Sequence, residues 1–237
     1  MKILTLLLLF SLPSLGQTFT VIDDSPSDSP ITLRGTVTID PINTSNNACF
    51  LIGHNWSSKS AVAWRTDIDI ASPQGGTQHG TLVHDRLFED QDVLLALSPE
   101  PNSDYNPTPL DIDCAMVTGG FHVRTLWVQF LDGSTWSDPA YPDAQAYVMA
   151  QRTNALDLLN ALKSAYSNDG ATAFQDVLSS YKHSGQTMQD TLRRDKAYST
   201  KLRLTKIRGV TAEVAEVNRM LSVAGTRSAW LRPQHHF

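Results

Sequence analysis

The sequence predicts an α+β protein, with an antiparallel β-sandwich over residues 17–139 followed by a C-terminal region of three to four helices over 140–225. Three observations predict it. Apolar residues recur at every second position in the first half, an Asp-Gly pair separates two such runs near its end, and beyond Asp138 the apolar period becomes helical.

The first strand is Ile31 to Ile39, where Ile31, Leu33, Gly35, Val37 and Ile39 alternate with Thr32, Arg34, Thr36 and Thr38. Cys49 to Ile52 is a second. The sharpest alternation is Val62, Trp64, Thr66, Ile68 and Ile70 facing inward, with Ala63, Arg65, Asp67 and Asp69 facing solvent. Thr81 to Phe88, Val93 to Leu97, Asp113 to Thr118 and Val123 to Leu131 complete the set. The last leads into Asp132-Gly133 and then Ser134-Thr135-Trp136, a hairpin signal because glycine accepts the positive φ of a tight turn. About seven short strands with turn-rich spacers favour a sandwich.

Asp138-Pro139 has the form of a helix start, and Val148, Ala155, Leu159, Leu162 and Tyr166 follow at helical spacing until Asn168-Asp169-Gly170. Phe174, Val177, Leu178 and Tyr181 give a second stripe, stopped by Ser184-Gly185. A third helix is expected from about Gln186 to Arg208. A fourth has Thr211 as cap, Val214, Val217, Leu221 and Ala224 as seam, and Gly225 as stop. Residues 226–237 show no period and read as a flexible tail.

The first sixteen residues have the layout of a secretory signal peptide: Lys2, an apolar run from Ile3 to Leu12, then Pro13 to Gly16 with small residues before the cut. The run is too short to span a bilayer core of about 30 Å, and the mature chain carries no other transmembrane candidate. Export makes Cys49 and Cys114, the only cysteines, an expected disulfide. Closing that loop would stabilise the fold by about 4 kcal/mol in the chain-entropy model.

The formal net charge of -5 conceals an asymmetry: residues 17–139 hold 16 acidic against 5 basic side chains, and residues 140–237 hold 8 against 13. The basic excess is concentrated in Arg193, Arg194, Lys196, Lys201, Arg203, Lys206 and Arg208, scattered around the third helix. This is not the one-sided pattern of a membrane-surface helix, and an acidic chain of pI about 5.7 is a poor nucleic-acid binder. The helix is then a solvated face, a surface resting on the acidic half, or a contact for an external polyanion. Docking held by long-range attraction would loosen in salt.

Cys49, Trp64 fifteen residues later, and Cys114 form a pattern that resembles the immunoglobulin-like superfold, in which cysteines of facing sheets and a core tryptophan pin the interior. Two residues before the second cysteine that superfold has a tyrosine where this chain has Ile112. Asn55-x-Ser57-x-Lys59 leading to Ala63-Trp64, with the Val123 to Phe130 strand and Asp132-Gly133-Ser134-x-Trp136, is similar to a group of uncharacterised secreted bacterial sandwich proteins with helical tails. That resemblance spans about residues 49–137 and implies no activity.

Catalytic motifs are missing: there is no Gly-x-Ser-x-Gly, His-Glu-x-x-His, phosphate loop or Cys-x-x-Cys. His79 and His84 would point to opposite faces of one strand, and with His122 and Asp85 they could converge only through loops. Asp67/Asp69 and Asp111/Asp113, with Glu89, Asp90 and Asp92, read as wet strand faces or calcium ligands, and no cofactor or metal site is assigned. Asn43-Thr44-Ser45 and Asn55-Trp56-Ser57 are sequons. Trp56, Tyr105, Trp136 and Tyr141 lie in or near loops, where aromatics stack on sugars or partners. The expected function is a secreted or periplasmic, non-catalytic binding or structural module of the cell envelope, with Trp56, Tyr105, Trp136, His79 and His84 as candidate binding-loop residues and an unknown protein or envelope polymer as partner. The alternatives are an extracellular hydrolase with a loop-built His/carboxylate site, and an assembly partner docking through an exposed Val214, Val217 and Leu221 stripe.

Overall fold

The computed structural model describes residues 17–40, 42–43, 48–71, 76–105 and 121–231, with residues 49, 96, 97, 188 and 189 described by their backbone alone. The signal-peptide segment, the Asp113 to Thr118 strand, Asp111, Cys114 and residues 232–237 lie outside the described residues.

Alternating sequence becomes two mixed or antiparallel sheets. The first has the order β1 (Gln17–Thr20), β3 (Ile31–Ile39), β4 (Ala48–Asn55) and β7 (Ser103–Tyr105), all neighbours antiparallel. The second has the order β2 (Ile22–Asp23), β8 (Phe121–Phe130), β5 (Ala61–Ala71) and β6 (Thr77–Asp85), with β9 (Thr135–Ser137) also paired to β8. Its β2–β8 pair is parallel, which corrects the all-antiparallel expectation. Val21, Leu33, Val37 and Leu51 from the first sheet side pack with Ile68, Phe121 and Val123 of the second, and Ile31 packs with Trp64, Val128 and Phe130. The β8–β9 hairpin turns at Asp132-Gly133, where Gly133 has φ 88°.

The solvent face expected for β5 is covered only in part. Ala63 is buried because α2 (Ala144–Ser180) lays Ala144 and Val148 over Ala63, Leu126 and Trp127; Asp67 is buried as well, bonded to Arg65 and Thr81, while Asp69 stays exposed. A bulge between Ala61 and Ala63 also turns Val62 out of the sheet interior and into the helical core. Val93 to Leu97, expected as a strand, belongs to helix α1 (Gln91–Leu97). Leu94 is fully buried while Val93 and Leu95 remain exposed, so the one-sided burial of a helix decides a short apolar run that periodicity leaves ambiguous.

The helices start and stop differently from the sequence expectation. Helix α2 begins at Ala144 after Asp143, and Gly170, with φ 78° and ψ -159°, breaks it where the sequence places a stop. The expected long third helix is divided at Arg194 into α3 (Met188–Arg193) and α4 (Asp195–Thr205). Thr187 and Asp190 form a reciprocal capping box at the start of α3. Helix α5 (Val210–Thr226) is preceded by Gly209 in the cap position, and it runs through Gly225. The segment read as a tail contains a 3-10 turn, Ser228–Leu231, that buries Trp230.

The helices share their core with the sheets: Val62, Leu87, Phe88 and Leu94 join Leu159, Leu162, Phe174, Leu204, Val217 and Met220 in one apolar cluster. Val217 is buried there and Val214 and Leu221 are partly buried against it, so this stripe is covered within the chain. Among the described residues no helix is long and apolar enough to cross a membrane.

Candidate functional site

Strand alternation leaves Ala48, Phe50, Ile52 and His54 of β4 on the outward set, in register with Thr38, Thr36, Arg34 and Thr32 of β3. Thr18 and Thr20 of β1 continue two of these rows opposite Thr38 and Thr36, and the Thr18 and Thr38 hydroxyls are 3.3 Å apart. Trp56 follows the end of β4, its backbone N–H donating to the Pro30 carbonyl. Its indole Nε1 donates to Thr32 Oγ1 at 2.8 Å and its ring centroid lies 3.9 Å from that of His54. Trp56 and Phe50 are 60% and 64% exposed. At the β7 edge of the face Asp104 accepts from His54 Nδ1 at 2.7 Å and Arg34 at 2.8 Å; the His54 bond first, then Arg34, holds its carboxyl below the ordinary range.

Beside Trp56 runs a groove of about 690 Å³ between the Asp23 to Pro30 segment, Thr32, Arg34 and Ser57. Its rim offers Ser25, Ser27 and Asp28. Trp136 points at this rim from the other sheet, its Nε1 donating to Asp28 Oδ2 at 3.3 Å. Tyr105 is elsewhere: it lies between the sheets, edge-on to Trp64, and burial, with Asp23 nearby, pushes its hydroxyl pKa up. Of the loop aromatics named from sequence, the structure therefore places Trp56 in the groove wall, bonds Trp136 to Asp28 of that wall, and puts Tyr105 inside. Sequence reasoning missed Phe50 and the threonine rows; the signal was the Thr-x-Thr in both Gln17–Thr20 and the Thr36–Thr38 stretch.

The histidines do not converge. His84 stacks on Trp64 beneath the second sheet, centroids 4.5 Å apart, and burial, helped by the Arg86 charge, lowers its pKa to about 4. His79 lies on the opposite face of β6, bonded through Nδ1 to Asp69 at 2.8 Å and through Nε2 to Asp67 at 3.3 Å. His122 and His79 both stand opposite Asp69, on the strands flanking it, two strand spacings or about 10 Å apart. His122 is engaged by Asp24 at 2.7 Å. The Asp67 carboxylate is further occupied by Arg65 and Thr81. Among the described residues no group of three or more His, Cys, Asp or Glu side chains is arranged to hold a metal ion. The Asn55 sequon is closed in the folded chain, because the buried Asn55 amide donates to the carbonyls of Lys59, Pro99 and Glu100.

A second polar cluster, unforeseen from sequence, lies where β6 meets the helices. Arg152 clamps Asp85 with two bonds of 3.0 and 2.9 Å and donates to the Trp230 carbonyl at 2.8 Å, while Lys196 reaches Asp85 Oδ2 at 3.0 Å. Burial favours the neutral acid, but the two cations outweigh it and hold the Asp85 carboxyl well below its ordinary range. Burial also lowers the Lys196 pKa, with Asp85 opposing. Further out, Arg203 pairs with Glu89 and Arg219 with Asp90. The basic helical half therefore does rest on the acidic β half, at the Asp85 to Asp90 segment. This cluster is closed and fully used, which makes it architecture; the open Trp56 face is the candidate site.

No family model, curated protein or solved structure matches the chain.

Proposed function

We propose that this protein is an exported, non-catalytic binding module of the cell envelope that engages its ligand through the outer face of the first sheet. The observation that carries the reading is Trp56: a large aromatic, mostly exposed, yet fixed by Thr32 and His54 so that its ring is presented in one orientation. The apolar run of residues 3–12 supports export. With export goes the immunoglobulin-like reading of the two facing sheets, pinned by Cys49 and Cys114. The hydrolase alternative is less well supported, since His79, His84 and His122 are each engaged separately.

Fractionation of producing cells is expected to recover a chain that begins at Gln17 outside the cytoplasm and has no alkylatable thiol before reduction. Its retention on purified envelope material should fall at least tenfold in Trp56→Ala. A cytoplasmic chain that still begins at Met1, or retention indifferent to Trp56, would overturn the proposal.

A further inference from the structure

We infer that the outer face of the first sheet binds an extended chain of neutral β-1,4-linked sugar rings, laid along β4 from Trp56 to Phe50. This names the ligand class of the binding face proposed above and rests on that reading. Trp56 follows β4 and turns its ring back onto Thr32 and His54, four positions from Phe50 on the outward set of the strand, so the two aromatics are set about 13 Å apart at 3.3 Å per residue and are matched to two or three consecutive rings and not to a monosaccharide. Both are more than half exposed. A pyranose ring offers a flat patch of C–H groups on its face, which packs on an aromatic ring, and hydroxyls at its rim, which need hydrogen-bond partners. The hydroxyl row Thr36–Thr20 extends across the sheet level with Phe50 and the row Thr38–Thr18 level with Ala48, so they supply partners at the Phe50 end of the path, each hydroxyl acting as donor and acceptor.

Charge selects among polymers. The face carries Arg34, His54 and Asp104, and these are bonded to one another, so no described cation on it is left to recognise a phosphate or sulfate chain. A flat, β-linked ribbon suits a strand surface, whereas a peptide adding to the sheet would need backbone groups at an edge, not the side-chain face. The groove next to Trp56 continues the face, and Ser27 and Asp28 on its rim are placed to take the hydroxyls of a terminal ring.

Cellohexaose and chitohexaose titrated into the full mature chain, with tryptophan fluorescence and calorimetry as readouts, test this. Binding of at least one hexasaccharide is expected, with affinity lowered tenfold or more in Trp56→Ala and, separately, in Phe50→Ala, and unchanged in Tyr141→Ala, an exposed aromatic elsewhere. A thermal melt of each variant checks the fold, and Phe50→Ala, whose side chain is mostly exposed and packs in none of the apolar clusters among the described residues, keeps the test open if Trp56→Ala unfolds. Binding of neither sugar, or binding indifferent to both substitutions, overturns the inference. If envelope material is still retained through Trp56 while both hexasaccharides are ignored, the glycan assignment fails and the binding-module reading survives. If that retention is lost as well, both fail.

Discussion

Arg152 and Asp85, 67 residues apart in sequence, form a buried two-bond ion pair that joins the first turn-and-a-half beyond Val148 in α2 to the end of β6. Lys196 adds a second cation to the same carboxylate. The cluster thus holds two positive groups for one negative group, and Asp85 is its indispensable member. Asp85→Asn should destabilise the protein by about 3–5 kcal/mol, since it leaves both cations buried without a counter-charge. Lys196→Met leaves one guanidinium with one carboxylate and should cost clearly less. Urea unfolding of both variants checks the order; equal losses would contradict this account.

The salt response follows from the same contact. The β and helical halves meet through Leu87, Phe88 and Leu94 against the helical core and through the buried Asp85 pairs. Raising salt shortens the Debye length from about 10 Å at 0.1 M to about 3 Å at 1 M, which acts on exposed pairs. Arg203–Glu89 and Arg219–Asp90 are the exposed part of this interface and together should lose no more than about 1–2 kcal/mol. Small-angle scattering should therefore give the same radius of gyration at 0.1 and 1 M sodium chloride, in contrast to docking by long-range attraction alone.

How much of this was legible in the sequence depends on where each residue's neighbour comes from. Local patterns carried the β5 alternation at Trp64 and Ile68, the turn at Asp132-Gly133 and the break at Gly170, because their causes lie within a few residues. Ala63 defeated the alternation rule, since the helix that covers it begins some eighty residues later. Arg152 reads as one more charge on a helix until the fold brings Asp85 to it. Trp56 was legible as a loop aromatic, but Phe50 was not, because outward parity on β4 becomes meaningful only in register with Thr36 and Thr20.

Gly170 gives a purely backbone prediction. Its φ of 78° with ψ of -159° lies in a region that side chains other than glycine essentially do not adopt, yet a Cβ there would meet no atom within 4 Å. Gly170→Ala should therefore cost about 1–3 kcal/mol through backbone strain alone. An unfolding midpoint unchanged by the substitution would mean that the break in α2 is not maintained in solution.

His84 sets a pH dependence in a window of its own. Its folded pKa is about 4 against an ordinary value of 6.5, chiefly because burial against Trp64 disfavours the imidazolium. Between these values the unfolded chain binds a proton that the native state refuses. The stability from the neutral ring is thus complete above pH 6.5 and is lost as pH falls toward 4, by at most about 3 kcal/mol at 1.4 kcal/mol per unit. Asp85 acts below that window: its folded pKa is depressed from 3.8, so its contribution holds above pH 4 and is lost only in stronger acid. Urea midpoints measured from pH 7.5 to 4.5 should fall for the natural chain. They should fall much less for His84→Phe, which keeps a ring stacked on Trp64 and removes the titrating group. Parallel slopes for the two proteins would place the pH dependence elsewhere.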